Sequence, residues 1–599
     1  MTDETKAILI KKCGNPIFLN GGLFSLHRDG FDTKNSVHIP NESFEAILAL
    51  FERYNFTITE STPLDIEVAV DPEMLGKVFE KLVTLRHDTG SYYTPKVIVS
   101  FMCREAIKGY LGDYEQLVDE HDPNGISVKE ARDLLRKLGE ITVCDPACGS
   151  GAYLVGMLHE LFQLTKILDT RADQATARDD YERKLNIIQN NLYGVDIDEF
   201  ATNIAMLRLW LSLVIEFEGD DPPPLPNLDF KIAVGDSLIA PDPQDVNLGV
   251  QHELVQQYQA KKAEHMKAYR FADKQVLEKE IKELRESIRG WARGTQAIPG
   301  FDWVVEFAEV FNGGGFDVVI ANPPYGLTCT TTLRNQYFPQ EAQSKDSYGI
   351  FMARAIQLMK VDACFSFIVS DTWRTIRSHR PLRKHLHENT TVLHLIDLPT
   401  WVFDATVYTC ILTLHKTSPT ADDVISAGDL RNLPRDDWNT LEAYFTSISA
   451  NGPAIQTESF ALYKFPQSLI STYTNFSFFI GSPEMYLLMS DVNLSKLHDL
   501  GAAVHGISTG NNKKYIRAEK DAGGNYPEIE DWMKMPEDEI KELTDCEKTE
   551  GVDKDWEALR GCFVPLKRGE RVMLQAGGFQ IIMCQLSIIL TGLKVLLLT

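Results

Sequence analysis

The sequence lacks the features of disulfide-rich, zinc-binding or secreted proteins. Its 10 cysteines are scattered over 599 residues and form no paired C-x-x-C motif, so we expect free thiols and no metal site. The first residues, MTDETKAILIKK, show no apolar stretch after a basic start, which argues against a secretory signal. Both absences favour a reducing, cytoplasmic location.

Positive charge is also scarce. The chain carries 60 Lys and Arg against 85 Asp and Glu, a net charge of −25. This balance argues against a generic polyanion binder, because phosphate affinity needs clustered cations. A local basic cleft is still compatible with this balance, because the net charge does not show how the charged residues are distributed. With 44% hydrophobic residues the chain can bury a substantial core, and its length predicts about three or four domains.

A long apolar run occurs only at the C-terminus. No acidic residue follows Glu570, and the last stretch, GFQIIMCQLSIILTGLKVLLLT, is about long enough to span a membrane. Polar residues interrupt it, among them Gln580, Gln585 and Lys594. We favour a frameshifted or truncated end over a membrane anchor, and we expect no membrane partner.

Strand-type and helix-type segments alternate in the middle of the chain. Short apolar runs typical of buried strands lie at 141–144, 192–196, 230–236, 316–321, 363–369, 392–396 and 407–414. The alternation predicts an α/β fold with a largely parallel sheet. Residues 1–130 show mainly helical patterns, and residues 250–295 predict a helical insert.

The segment Asp145-Pro-Ala-Cys-Gly-Ser-Gly151 lies between a predicted strand and a predicted helix. Gly149 and Gly151 allow a tight turn and a close approach of a ligand to the backbone. An acid at the strand end would repel a pyrophosphate but suits a ligand with an ammonium group. The pattern is not the G-x-G-x-x-G fingerprint, and a plain tight turn is the alternative.

Three further motifs follow the next strands. Asp196 can accept hydrogen bonds from ribose hydroxyls, and Asp236 ends the third apolar run. Asn322-Pro-Pro-Tyr325 comes directly after the run 316–321. The Asn322 side-chain oxygen and the Pro323 carbonyl can both accept hydrogen bonds from one planar NH₂ group, while Tyr325 offers a flat face for a base. We expect these residues to share the carboxyl edge of one sheet.

In this order, DPACGSG, the acid at Asp196, Gly-Asp-Ser and NPPY resemble the gamma class of S-adenosylmethionine-dependent DNA N6-adenine methyltransferases. The resemblance covers about 15–520 and implies a Rossmann-like methyltransferase fold with a helical N-terminal region and a helical insert. Segments similar to type IIG and BREX-type modification enzymes of phage defence are FLNGGLF (18–24), DPEMLGKVFE (71–80), TGSYYTP (89–95), GFDVVIANPPYG (315–326) and GISTGNNKKYI (506–516).

The resemblance also implies roles for single residues. The catalytic loop would be Asn322, Pro323, Pro324 and Tyr325. Phe403, with Trp401 as an alternative, would stack on a flipped base opposite Tyr325. The implied S-adenosylmethionine-binding residues are Tyr93, Thr94 and Pro95 at the methionine end, Asp145, Pro146, Ala147, Gly149 and Gly151 in the methionine-binding loop, Asp196 on the ribose, Ile197 on the adenine ring and Asp236 on the adenine amino group.

Basic residues after the strand predicted to end at Val369 are candidates for DNA phosphate contacts, with a solvated helix face as the alternative. These candidates are Arg374, Arg377 and Arg380, together with Lys513 and Lys514 further along the chain.

The expected organisation is a helical connector at 1–130, a methyltransferase domain at 131–420 and a partial target-recognition domain at 421–599. The implied reaction is methyl transfer to the N6 amino group of adenine in double-stranded DNA. Separate nuclease or other defence-system subunits are the implied partners. Neither a D…E-x-K nuclease signature before the methyltransferase region nor a G-x-x-x-x-G-K-[ST] loop is present, so we expect no cleavage by this chain.

Two alternatives stay open. The short recognition region is compatible with a truncated chain that binds S-adenosylmethionine or DNA without turnover. NPPY also serves methyltransferases that act on protein glutamine amides, although the TGNN segment favours DNA.

Overall fold

The computed structural model describes residues 40–51, 94–112, 114–172, 179–217, 223–246, 248–268, 270–294, 300–339, 344–403, 408–449, 454–457, 459–472, 475–490, 573–576 and 579–582. The chain divides into two compact units, Met1–Ser490 and Asp491–Thr599. Tyr93, Lys513 and Lys514 lie outside the described residues, as does most of the apolar C-terminal run.

Ten strands of the first unit form one sheet in the order β3-β2-β1-β4-β5-β7-β6-β8-β10-β9. The strands are β1 (Val143–Asp145), β2 (Leu192–Asp196), β3 (Ile232–Val234), β4 (Phe316–Ala321), β5 (Met359–Ser370), β6 (Thr391–Asp397), β7 (Thr409–His415), β8 (Val424–Asp429), β9 (Ile455–Gln456) and β10 (Ala461–Pro466). In the second unit, β11 (Met573–Ala576) and β12 (Phe579–Ile582) form an antiparallel pair.

The sheet is mixed, not largely parallel as the alternation predicted. Strands β3, β2, β1, β4 and β5 pair in parallel, whereas β7 runs antiparallel between β5 and β6. The connection from β6 to β7 contains only residues 398–408, which is too short for a crossover helix. The α/β class is nevertheless correct, because helices cover the sheet.

The expected boundary between residues 420 and 421 does not coincide with a break in the sheet. Strand β8 pairs in parallel with β6, and β10 pairs antiparallel with β8. Residues 424–466 therefore extend the sheet of the preceding domain, and the first compact unit ends at Ser490.

The described helices are α1 (Asn41–Phe51), α2 (Lys96–Leu111), α3 (Glu115–Glu120), α4 (Val128–Glu140), α5 (Ala152–Arg171), α6 (Asp180–Asn190), α7 (Glu199–Val214), α8 (His252–Lys267), α9 (Phe271–Arg293), α10 (Trp303–Glu306), α11 (Ala308–Phe311), α12 (Thr331–Tyr337), α13 (Ser347–Leu358), α14 (Arg380–Asn389), α15 (Trp438–Ser449) and α16 (Pro483–Ser490). Short 3₁₀ segments lie at Pro243–Asp245, Leu248–Gln251, Asp371–Arg374, Arg377–His379, Thr400–Phe403 and Gln467–Thr472. Within these described ranges no helix has the length and apolarity to cross a bilayer.

Helix α2 belongs to the core although it precedes the predicted methyltransferase domain. Pro95 stands at its N-cap, and its buried side chains include Ile98, Phe101 and Ile107. These side chains pack against β4, β5 and α5. The helix therefore anchors the adjoining residue Thr94 at the edge of the sheet.

The residues expected to form a helical insert are α8 and α9, which pack against each other. Lys262 of α8 pairs with Glu309 at 2.8 Å and also donates to the carbonyl of Glu306. These contacts hold the hairpin against the segment that leads into β4.

Candidate active site

A cavity of about 470 Å³ lies where the order of the strands reverses. From β1 the chain adds β2 and β3 on one side, and then β4 and β5 on the other. The carboxyl ends of parallel strands at such a point form the usual ligand crevice of an α/β sheet. The predicted site residues that line the cavity are Thr94, Asp145, Pro146, Ala147, Gly149, Asp196, Ile197, Asp236, Asn322 and Pro324.

Asp145 ends β1 and is 1% exposed. One carboxylate oxygen accepts a hydrogen bond from the backbone N–H of Ala147 at 3.0 Å, while Oδ2 is buried without a partner. Burial, followed by the negative charge of Asp196, raises the pKa of Asp145 well above its usual range. An unpartnered buried oxygen on the cavity wall fits a ligand that brings a cationic donor.

The turn after Asp145 depends on two glycines in the left-handed region. Gly149 has a φ of +50° and Gly151 a φ of +82°. The N–H of Cys148 donates to the carbonyl of Val195 at 3.0 Å, which ties this turn to β2. A Cβ at Gly151 would lie 2.8 Å from the Cβ of Ala205 on α7. The turn can therefore be this tight only with glycine at 151.

Gly151→Ala is expected to destabilise the protein by about 2–4 kcal/mol, from left-handed strain and overpacking against Ala205 together. The measurement is chemical denaturation. Gly290→Ala on α9 is the matched control, because a Cβ there meets nothing within 4 Å. It should stabilise by about 0.5–1 kcal/mol, and equal effects of the two substitutions would contradict the structural argument.

Asp196 ends β2 and holds two loops together. Its carboxylate accepts hydrogen bonds from the backbone N–H groups of Gly149 at 2.8 Å and Asp198 at 2.9 Å. Burial raises the pKa of Asp196. The neighbouring Ile197 is 72% exposed on the cavity wall, while Asp198 caps α7. A large aliphatic side chain in this position suits contact with a flat ring.

Asp236 follows β3, and its Oδ1 accepts hydrogen bonds from the backbone N–H groups of Leu238 at 2.9 Å and Ile239 at 3.2 Å. The Ser237 hydroxyl donates to the carbonyl of Pro146 at 2.6 Å. This bond joins the loop after β3 to the loop after β1, so the acids at 145 and 236 are held in one wall.

The NPPY loop follows β4 on the opposite side of β1. The Asn322 amide nitrogen donates to Thr94 Oγ1 at 3.1 Å, and the Tyr325 hydroxyl donates to Asn322 Oδ1. Tyr325 is 8% exposed, and its hydroxyl also lies 3.0 Å from the carbonyl of Ile368. The side-chain oxygen predicted to accept from a substrate is therefore covered by Tyr325.

Several predicted residues are placed away from the cavity wall. Of the described residues, Pro95, Gly151, Pro323, Tyr325 and Phe403 do not line it. Phe403 is buried in the core, and the Trp401 indole donates to the carbonyl of Leu433 at 3.2 Å. In this conformation neither the Tyr325 ring nor the Phe403 ring is open to a base.

Arg374 differs from its expected role as a phosphate contact. It is 7% exposed, and its guanidinium pairs with Asp397 at 2.9 Å and Asp371 at 3.4 Å. Both carboxylates form ion pairs with the guanidinium inside the fold, so Arg374 is a structural residue. Arg377 and Arg380 are exposed, as a phosphate contact requires.

A buried histidine lies behind the NPPY loop. His379 Nδ1 and the Ser344 hydroxyl are 2.8 Å apart, and His379 Nε2 lies 3.1 Å from the Tyr348 hydroxyl. The Tyr348 and Tyr325 rings are in T-shaped contact, with their centroids 6.3 Å apart. Burial, followed by the charge of Arg383, lowers the pKa of His379 to about 4.

Stability is expected to fall as pH drops from about 6.5 to about 4, because the unfolded chain protonates His379 in that window and the folded chain does not. The contribution of this residue is on the order of 3 kcal/mol. Denaturation of wild type and His379→Gln at pH 7 and pH 4.5 measures it, since other titrating groups cancel in the difference. An equal loss in both proteins would contradict the assignment.

The structure adds cavity residues that the sequence reasoning missed. The segment after the NPPY loop folds over the cavity through a bridge between Thr328 and Asp346. It contributes Leu327, Cys329 and Leu333, while α13 contributes Phe351. No local motif marks these residues, because the bridge joins positions 18 residues apart.

Two protein-family models match the chain. Residues 190–403 match the Eco57I restriction-modification methylase, and residues 121–218 match the DNA-methyltransferase domain of MmeI. The two matched segments overlap and together contain β1, β2, β3, β4 and the NPPY loop.

Curated relatives carry related names. A protein of Methanocaldococcus jannaschii, provisionally named a type II restriction enzyme and methyltransferase, is 26% identical over 508 residues and aligns with 68% of this chain. The type II restriction enzyme and methyltransferase RM.Eco57I of Escherichia coli is 25% identical over 63% of this chain. The adenine-specific methyltransferase PglX of Lacticaseibacillus casei is 23% identical over 64%. The chain spans 43%, 33% and 32% of the lengths of these relatives.

Solved structures to which the chain shows a likeness include the M protein of the type I restriction enzyme EcoKI, with a TM-score of 0.38 and 14% identity over 71% of this chain and 74% of that one. Another is the methyltransferase subunit of a type I restriction-modification system from Streptococcus thermophilus, with a TM-score of 0.36 and 13% identity over 68% and 63%.

Proposed function

We propose that residues 121–403, which match two methyltransferase family models, form a restriction–modification methyltransferase domain of the gamma class. On that premise this chain would methylate the N6 amino group of adenine in double-stranded DNA, using S-adenosylmethionine. One observation carries the proposal. The cavity joins a carboxylate with an unpartnered buried oxygen, Asp145, to the amide of Asn322 in an NPPY loop. These two groups suit a cationic cofactor and an amino-group substrate.

The acidic wall of the cavity fits S-adenosylmethionine. The unpartnered Oδ2 of Asp145 would accept from the ammonium of the methionine end, and Asp196 would accept from the ribose hydroxyls. Ile197, which is exposed on the cavity wall, would contact the adenine ring, and Asp236 on the same wall would accept from its amino group. When bound, this cofactor supplies an electrophilic methyl group.

The NPPY loop would activate the substrate amine. An adenine amino group is a weak nucleophile because its lone pair is delocalised into the ring. Asn322 Oδ1 and the Pro323 carbonyl can each accept one of its N–H bonds, which favours a pyramidal nitrogen with a localised lone pair. Positioning and fixed dipoles are then the main contributions of the protein. No general base is required, since the product ammonium is strongly acidic.

Substrate binding requires Tyr325 to leave Asn322 Oδ1. The target base must first leave the duplex, at a cost of a few kcal/mol. Stacking of the base on the released Tyr325 ring offsets about 1–3 kcal/mol of this cost. Arg377 and Arg380 are the described cations that we assign to DNA phosphates.

The names of the relatives support a role in a restriction–modification or phage-defence system. We propose double-stranded DNA as the partner, with nuclease or other defence subunits as further ones.

Expression in a methylation-free bacterial host, followed by long-read detection of N6-methyladenine, tests the function. We expect one methylated sequence motif in cells with the wild-type chain and none with Asn322→Ala. Asp179→Asn, at the N-cap of α6 outside the cavity, is the matched control that retains methylation. Absence of methylation by the wild type would overturn the proposal.

Calorimetry with S-adenosylmethionine separates the alternatives. Cofactor binding without DNA methylation would identify a chain that binds without turnover. Methylation of glutamine amides in protein, detected by mass spectrometry and absent from DNA, would identify the other substrate class.

A further inference from the structure

The charged residues outside the proposed reaction include a fully buried arginine on α13. Arg354 is 0% exposed, and its guanidinium donates to the carbonyls of Leu238 at 3.0 Å, Ala240 at 2.5 Å and Pro241 at 3.1 Å. Among the described residues no carboxylate lies within ion-pair distance of it. The three carbonyls belong to the loop that begins with Asp236.

One of these bonds reaches Asp236 through a single peptide group. The carbonyl of Leu238, which accepts from Arg354, and the N–H of Ile239 belong to the same peptide unit. That N–H donates to Asp236 Oδ1 at 3.2 Å. Consecutive hydrogen bonds polarise one another, so the positive charge of Arg354 strengthens the bond that holds the carboxylate.

The second oxygen of Asp236 stays available to the cavity. Within the described part of the chain Oδ2 has no hydrogen-bond partner, and Asp236 lines the cavity wall. We propose that Arg354 is a positioning residue that sets the preference of the cofactor site for an adenine base, by holding Asp236 through the peptide group between Leu238 and Ile239. This inference rests on the proposed use of S-adenosylmethionine.

The charge and the shape of the guanidinium both matter to this role. Burial lowers the pKa of Arg354 to about 10, so the side chain is charged at neutral pH. A lysine keeps the charge but offers one compact ammonium, which does not reproduce a planar fork across three carbonyls. Arg354→Lys therefore loosens the loop without removing the charge.

The test compares two ligands by calorimetry, S-adenosylhomocysteine and its analogue with unsubstituted purine in place of adenine. The analogue lacks only the amino group that Asp236 would bind. For the wild type we expect the analogue to bind roughly 10- to 100-fold more weakly, the effect of a hydrogen bond to a charged group. Asp236→Ala should reduce this ratio to near one.

Arg354→Lys and Arg354→Gln should each reduce the ratio at least several-fold. Arg183→Lys is the matched control, because Arg183 is buried on α6 but pairs with Asp169, away from the cavity. Arg183→Lys should leave the ratio of the two affinities unchanged. This result would show that perturbing a buried arginine elsewhere in the fold does not by itself change the ratio.

Three outcomes would overturn the inference: an unchanged ratio in a folded Arg354 variant, a wild-type ratio near one, or failure of both Arg354 variants to fold, which would make Arg354 purely structural. If the wild type binds neither ligand, the proposed function fails instead.

Discussion

Asp145→Asn is expected to weaken S-adenosylmethionine binding by about 2–4 kcal/mol, roughly 30- to 1000-fold. The asparagine keeps the shape and the acceptor for Ala147 but removes the charge that a cationic ligand requires. The same substitution should stabilise the free protein by about 1 kcal/mol, because a buried carboxylate with an unpartnered oxygen is costly without ligand. Calorimetry and denaturation of the ligand-free protein measure the two effects.

Asp179→Asn is the control for this substitution. Asp179 caps α6 outside the cavity, and asparagine is an equally good cap. Neither affinity nor stability should change there. If Asp145→Asn leaves the affinity unchanged, Asp145 does not bind the cofactor. If it lowers stability, the buried Oδ2 has a hydrogen-bond partner in the free protein.

Arg374→Met is expected to destabilise the protein by about 3–5 kcal/mol, because it leaves Asp397 as a buried carboxylate without its main partner. Burial already raises the pKa of Asp397 to about 6 in the presence of Arg374 and Arg431. The double variant Arg374→Met with Asp397→Leu should recover most of the loss, since both charges are then absent. Chemical denaturation of the three proteins measures this.

Arg377→Met is expected to leave stability nearly unchanged, in contrast to Arg374→Met. Arg377 is exposed, so its replacement should change the free energy of unfolding by less than about 0.5 kcal/mol. It should instead lower the salt dependence of DNA binding by about one unit of slope. A change in stability without a change in slope would assign Arg377 to the fold as well.

The elements that could be predicted from sequence are those with an unbroken local pattern. Strands β2 and β4 occur at the predicted residues because both of their faces are buried, which produces continuous apolar runs. Strand β8 was missed because VISAGD contains serine, alanine and glycine. A Cβ at Gly428 would lie 2.6 Å from the Tyr444 hydroxyl. Glycine at this position therefore allows β8 to pack closely against α15, although glycine is unfavourable in strands.

The candidate site also has features that could be predicted from sequence and features that could not. Asp145, Asp196, Asp236 and Asn322 could be brought together from sequence, since each lies at the carboxyl end of a strand in the parallel part of the sheet. The covering of Asn322 by Tyr325 and the pairing of Arg374 with Asp397 could not, because both depend on side-chain packing across separate elements. The three arginine candidates for phosphate contacts, Arg374, Arg377 and Arg380, therefore included one structural arginine, Arg374, that sequence alone cannot separate from the exposed ones.

The contact between Tyr325 and Asn322 has a consequence for small competitors of the substrate. A free nucleoside offers the loop one stacked base and two N–H bonds, and it must displace a buried tyrosine to make them. A DNA strand brings phosphate contacts as well, and these supply binding energy that a mononucleotide lacks. If the proposed function holds, the covered acceptor would keep adenosine and ATP from reacting, and selectivity for polymers would begin before any base sequence is read.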